Sequence, residues 1–243
     1  MNAIALPTRR DEAWHYADFD ALARLWPLPA VERIVVPAGG VFSRAIVQES
    51  GGVRQIGLVA GKGASARMDA LNLGGDYGRI ELDVTLHEGA HFELRGAILG
   101  SGEQTLEIVT TVTHAEPNAT SNQTVRTVVG GKATGSYLGK VAVARGAQKT
   151  DAAQSVKAML LDRTATANAK PELEIFADDV KCAHGATVGE LDQAALFYLA
   201  SRGLPPAEAK QLLLQAFVAG VFEGSQEQET LAQAALAKLG AMV

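Results

Sequence analysis

The sequence predicts a β-rich body followed by a small helical unit, and three observations carry that prediction. First, from about Val31 to Phe176 the apolar residues follow a period of two: Ile80, Leu82, Val84 and Leu86 alternate with polar neighbours, as do Phe92 and Leu94, Leu106 and Ile108, and Leu173 and Ile175. Alternation puts successive side chains on opposite faces of a strand. Second, turn signals recur at close spacing, as in Gly74-Gly75-Asp76, Glu88-Gly89-Ala90, Pro117-Asn118 and Arg145-Gly146-Ala147. No helix of ordinary length fits between them, so the body is all-β. Third, after Phe176 the apolar spacing becomes helical.

Taken in order, residues 8–25 read as a short amphipathic segment with Asp11 as a cap and Trp14, Phe19, Leu22 and Leu25 on one face, ended by Pro27 and Pro29. The β body could be a sandwich, a barrel or a β-helix. Its apolar positions hold Ala, Val, Ile and Leu rather than aromatics, and its turns carry repeated Gly-Ala pairs. Both suit stacked rungs, each of which fills only the space beneath its neighbour, although no clean repeat period is visible. In the tail, Thr187 with Glu190 fits a capping box, followed by Val188, Leu191, Ala195 and Leu199 at helical spacing and a stop at Gly203. Pro206 suits the first turn of a second helix with an apolar face of Ala209, Leu212, Leu213, Ala216 and Phe217. Ser225 with Gln228 opens a third, carrying Leu231, Ala235 and Leu239. The expected units are 1–28, 29–186 and 187–243, and an exposed face of the last could dock a partner.

The 243 residues are 47% apolar and 20% charged, with a net charge of −5. That balance lacks the basic face that general nucleic-acid binding needs. No apolar run is long enough to cross a bilayer, and Met1–Pro7 lacks a signal-peptide pattern. A single cysteine leaves no internal disulfide framework. The expected setting is the cytoplasm, where the Asn-x-Thr patterns at Asn118 and Asn122 carry little weight as glycosylation sites.

Few motifs carry chemistry. Gly61-Lys62-Gly63 has the wrong glycine spacing for a phosphate loop and no Ser or Thr after the lysine, so it reads as a turn. His87-Glu88-Gly89-Ala90-His91 formally matches the zinc-hydrolase pattern, but that pattern needs a helix and its flanks alternate as strands. An enzyme using His87 or His91 on a polymer or small acceptor is the alternative function. Cys182 and His184 lie two apart. On a strand both point to one side, with Cα atoms roughly 6 to 7 Å apart. A thiolate and an imidazole could meet one iron or one cluster edge. Two ligands are too few for a stable site, so a partner chain would supply the rest. The competing reading is a buried structural cysteine beside a hydrogen-bonded histidine.

The surroundings of that pair resemble the SufB/SufD family. The run Gly146-Ala147-Gln148-Lys149-Thr150-Asp151-Ala152-Ala153-Gln154-Ser155 is similar to a family signature, and so is the long run from Pro171 through Lys181-Cys182-Ala183-His184-Gly185-Ala186-Thr187 to Gly189. Leu191-Asp192, Leu196-Phe197-Tyr198-Leu199, Ser201-Arg202-Gly203, His114-Ala115-Glu116-Pro117-Asn118 and Glu12-Ala13-Trp14-His15-Tyr16 also match, and the Lys-Cys-x-His-Gly-Ala form is more like the D subunit than the B subunit. The resemblance implies a right-handed parallel β-helix with a C-terminal helical domain. It implies a non-catalytic scaffold in iron–sulfur cluster assembly, pairing with a B-type subunit and docking the ATPase SufC. It would place His184 at the interface as a transient iron ligand, with Cys182 close by and no tightly held cofactor. It would place ATPase docking near residues 188–222, through Val188, Leu191, Leu199, Leu212 and Phe217. A homodimer is the expected alternative when the chain is alone. The family usually carries a longer N-terminal helical region than this chain.

Overall fold

A computed structural model describes residues 6–243; part of the Met1–Pro7 reading lies outside the described residues. The strands are β1 (Glu32–Val36), β2 (Val41–Gln48), β3 (Gly52–Ala60), β4 (Ser65–Asn72), β5 (Tyr77–Leu86), β6 (His91–Gly100), β7 (Thr105–His114), β8 (Thr120–Val129), β9 (Thr134–Val143), β10 (Asp151–Leu160), β11 (Thr166–Ile175) and β12 (Lys181–Glu190). Helix α1 (Phe19–Leu25) precedes them, and α2 (Gln193–Ser201), α3 (Pro206–Val218) and α4 (Gln228–Gly240) follow.

The odd strands form one six-stranded sheet in the order β1-β3-β5-β7-β9-β11, and the even strands form a second in the order β12-β10-β8-β6-β4-β2. Every pairing is parallel and in register with the strand two elements on. The chain therefore alternates between two facing sheets and advances one rung each time: a β-solenoid with a helical tail. The predicted alternation is what fills it. Ile80, Leu82, Val84 and Leu86 from the odd sheet meet Phe92, Leu94 and Ile98 from the even sheet in one buried cluster.

The missing repeat has a physical cause. Glu32 lies beside Ile56, 24 residues on; Tyr77 lies beside Thr105, 28 on; Thr134 lies beside Thr166, 32 on. The rungs lengthen along the chain, so no fixed period is written in the sequence.

The core is not wholly apolar. Gln123 Oε1 accepts hydrogen bonds from Thr110 Oγ1 at 2.8 Å and Tyr137 Oη at 3.0 Å. The phenol packs over Gly139, where a Cβ would sit 2.3 Å from Tyr137 Oη, so only glycine fits that position. His114 is fully buried, with Nε2 2.9 Å from Ser121 Oγ. Burial pushes its pKa down from 6.5 to about 4. The unfolded chain therefore takes up a proton between pH 6.5 and 4 that the folded chain refuses. Stability is expected to fall as pH drops through that window, by about 3 kcal/mol in all. His114→Gln should remove this part of the slope in denaturation curves recorded from pH 7 to pH 4.

Outside the solenoid, each terminal segment covers one sheet. Ala17, Ala21 and Leu22 pack with Val53 and Tyr77 on the odd sheet. The cap of α1 is Asp18, which accepts from Ala21 N at 3.0 Å; Asp11, the expected cap, instead closes the turn before a 3-10 segment, Glu12–Trp14. Arg79, with 0% side-chain exposure, threads through this cover. It pairs with the equally buried Glu107 at 3.2 Å and with Glu81 at 3.1 Å. It also donates to Ala13 O at 2.8 Å and lies 3.8 Å from the Trp14 ring centroid. Glu107 accepts a further bond from Tyr77 Oη at 2.7 Å.

The helical tail folds back on the even sheet. Outward-facing Leu71, Ala97, Leu99 and Val128 share a buried cluster with Leu191, Leu214, Val218, Leu231, Ala235 and Leu239. Two expectations are corrected here. Strand β12 runs on through Thr187 to Glu190, so the capping box does not form and Val188 lies on a strand; α2 is capped instead by Asp192, whose carboxylate accepts from Ala194 N at 2.8 Å. The helical unit thus begins about five residues after the expected boundary at 187. In α3 the buried positions are Ala209, Leu214 and Val218, and Leu212 faces outward. Of the face expected from the spacing, Ala209 is buried and Leu213 and Phe217 pack partly buried against the cluster, whereas Leu212 and Ala216 are exposed; the run Leu212-Leu213-Leu214 turns the face toward Leu214 and Val218.

Candidate functional site at the open end of the solenoid

The last rung is built by a column of stacked turns. Gly89 N donates to Pro117 O, Asn118 N to Gln148 O, and Lys149 N to Asp179 O, each turn resting on the next. Asn118 and Lys149 adopt left-handed φ values of 61° and 63° to make these corners. Asp179 is tied further by its ion pair to Lys149 and by Gln148 Oε1, which accepts from its N–H at 2.9 Å. Lys181 N then donates to Thr150 O at 2.8 Å and starts β12. The run that suggested the family resemblance is therefore the machinery that aims β12.

Parallel register sets which way β12 points. Cys182 lies beside Ala152, His184 beside Gln154, Ala186 beside Val156 and Val188 beside Ala158. The four partners line the interior, so Cys182, His184, Ala186 and Val188 continue the inward column onto the final rung, where nothing lies above them among the described residues. Cys182 and His184 do share one side, as the spacing requires.

The two side chains differ in setting. Cys182 is half-buried against Val180, Leu173 and Ala177. Burial pushes its thiol pKa up, with the charge of Asp151 adding to the effect, so the thiolate needed to bind metal is disfavoured in the isolated chain. His184 is exposed. Directly beneath it is Gln154, 3% exposed, whose two amide atoms make no hydrogen bond of ordinary geometry. Gln154 sits in turn on Gln123, so a polar column runs from the core to His184.

The rung itself is an open edge. β11 and β12 are the terminal strands of their sheets, ten residues each, and neither has a partner on its outer side among the described residues. Phe176, 59% exposed, and Ile175 and Val188 add apolar surface beside it. Sequence reasoning missed Ile175 and Phe176 as surface residues; the signal was the end of an alternating strand with two apolar residues in succession. Unpaired strands of this length are normally shortened, charged or covered.

The other expected positions lie elsewhere. His87 and His91 flank a solenoid corner, not a helical turn. His87 Nδ1 pairs with Glu116 at 3.1 Å, and His91 Nδ1 shares a hydrogen bond of 2.8 Å with Thr120 Oγ1. Gly61–Gly63 forms the corresponding turn one rung earlier, with Lys62 paired to Glu88 at 2.6 Å. Of the expected docking residues, Leu191 is buried between sheet and helices, Leu199 and Phe217 are partly buried, and Val188 and Leu212 are exposed. No three His, Cys, Asp or Glu side chains gather to hold a metal ion among the described residues, and no helix of the described residues is long and apolar enough to cross a membrane.

A parallel β-solenoid with an uncovered end rung, a lone histidine on that rung and a helical tail folded over one sheet defines the class. The family model for the SufBD core domain of the SUF system of FeS cluster assembly matches residues 30–217. The chain belongs to the SufBD family. It is 33% identical over 184 residues to the iron–sulfur cluster assembly protein SufD of Escherichia coli, covering 75% of this chain and 43% of that protein. Over 167 residues it is 35% identical to a SufBD family protein of Synechocystis, covering 68% of this chain and 37% of the relative. Over 165 residues it is 31% identical to SufD of Bacillus subtilis, covering 67% and 38%. The matches thus span about two fifths of the length of these relatives.

Proposed function

We propose that the chain is a SufD-type scaffold subunit without catalytic activity of its own. In this reading the β11–β12 edge pairs with a B-type subunit by strand addition, in which backbone hydrogen bonds give affinity and the flanking side chains give specificity. His184 supplies one ligand to an iron–sulfur cluster forming between the two chains. The cluster is cargo, handed on rather than kept, which suits a half-site of one exposed imidazole. Cys182 has the lesser part, because burial works against its thiolate. The helical tail docks the SufC-type ATPase.

The observation that carries this reading is the bare ten-residue edge with His184 in its inward column. His184→Ala in the full complex is expected to slow cluster formation roughly tenfold or more, with subunit pairing retained. An unchanged rate would remove the ligand role. Size measurement of the chain alone and with its B-type partner tests the edge: a mixed pair should form, and any homodimer of the lone chain should give way to it.

A further inference from the structure

The outward face of the even sheet carries a cluster of cations that the scaffold role does not use. Lys157 of β10 lies directly beside Arg126 of β8, and Arg95 of β6 lies beside Thr124 of β8. Neighbouring strands are about 4.8 Å apart, and like charges directly opposite each other destabilise a sheet. Arg95 is neutralised, since its Nη2 meets Glu93 Oε1 at 2.5 Å. Glu93 is shared as well with Arg67 at 3.6 Å. Arg126 and Lys157 have no carboxylate partner among the described residues.

Arg126 is held in place by other means. Its Nη1 donates to the carbonyls of Val125 at 3.1 Å and Ser155 at 3.4 Å, and its Cζ stands 5.9 Å from the centroid of the Phe217 ring on α3. Nε and Nη2 have no acceptor from the protein among the described residues. Burial and then the charge of Arg95 pull its pKa down, so the bare site disfavours the charge it contains. The cations, Thr124, Phe217 near the end of α3 and the turn that follows it at Ala219 and Gly220 line an open cavity of about 380 Å³.

We propose that this cavity binds a phosphoryl group, with Arg126 and Lys157 as its charge partners and Thr124 as a hydroxyl donor. Two uncompensated cations match a dianion. The free edge of the guanidinium matches its paired oxygens. The volume exceeds that of phosphate alone and leaves room for the group it is attached to.

The test is titration of the full chain with inorganic phosphate and, separately, with ADP, followed by phosphorus NMR and calorimetry at low salt. Saturable binding is expected, weakened about tenfold or more in both Arg126→Gln and Lys157→Gln. The exposed Lys157 can be replaced without touching the core, and its loss relieves the repulsion with Arg126, so its variant melts no lower than wild type and separates lost binding from lost folding. Tighter binding of ADP than of phosphate supports a nucleotide as the source, and equal binding supports the free anion. Absence of saturable binding by either probe, or binding indifferent to both substitutions, overturns the proposal. Neither result bears on His184 or on the open edge.

Discussion

Arg79→Met is expected to destabilise the fold by about 3–5 kcal/mol near neutral pH, because it leaves Glu107 without a counter-ion in a fully buried site, where it must be held either charged or at the cost of taking up a proton. Arg79 is the counter-ion of Glu107 and Glu81, the donor to Ala13 O and the platform under Trp14. Its loss therefore frees the N-terminal cover from the odd sheet as well. Burial already raises the pKa of Glu107 above the usual carboxylate range, even with Arg79 present to oppose it. In the variant that rise grows, and the folded state holds a proton that the unfolded state releases. The sign follows: folded chains bind more protons than unfolded ones above the ordinary carboxylate pKa, so stability must fall as pH rises, with a limiting slope of about 1.4 kcal/mol per pH unit. Urea denaturation at pH 5 and pH 8 should show the variant closer to wild type at the lower pH. The triple variant Arg79→Met, Glu107→Leu, Tyr77→Phe removes Glu107 together with its two buried partners and should recover the part of the loss that comes from the unpaired carboxyl. Equal destabilisation at both pH values would mean that packing against Trp14, not charge, is what Arg79 supplies.

How much of this was legible beforehand depended on the range of the signal. Alternation in Ile80–Leu86 and Phe92–Leu94 is local, and it correctly gave strands with one buried face. Stacking is not local: it depends on the offset between rungs, which drifts from 24 to 32 residues, so from the residues themselves the β-helix was favoured over a sandwich or barrel only by small apolar side chains and repeated Gly-Ala turns. The Thr187–Glu190 cap failed because the ladder from β10 keeps pairing as far as Glu190. Tertiary pairing outweighs a local cap of about 1 kcal/mol. Cys182 and His184 share one side because a two-residue spacing guarantees it on any strand. That His184 is exposed while Cys182 is half-buried could not be read from spacing, since it depends on which corner covers the first turn of the strand. Arg79 and Glu107 were invisible for the same reason: 28 residues separate them in the chain, and nothing local distinguishes a buried arginine from a surface one.

The tail gives the second large effect, and the structure decides how it should be tested. Deleting everything after Gly189 would uncover Leu71, Leu99 and Val128 on the even sheet, so lost ATPase binding in that truncation would report an injured solenoid as readily as a lost surface. Point substitutions separate the two. Phe197 is 76% exposed on α2 beside Tyr198, and Leu212 of α3 and Leu236 of α4 are exposed along an apolar groove of about 370 Å³. If the ATPase docks on the tail as proposed, Phe197→Asp or Leu212→Asp should weaken binding by about 2 kcal/mol or more, roughly 30-fold. Melting temperature should hold, since neither side chain supports the core. Leu214→Ala is the opposite probe. Its side chain is fully buried between sheet and helices, so it should cost about 2–5 kcal/mol of stability and affect binding only where the tail unfolds. Calorimetric binding alongside melting curves reads both. Normal binding by the two aspartate variants, with loss only in Leu214→Ala, would move the docking surface off the tail's exposed face.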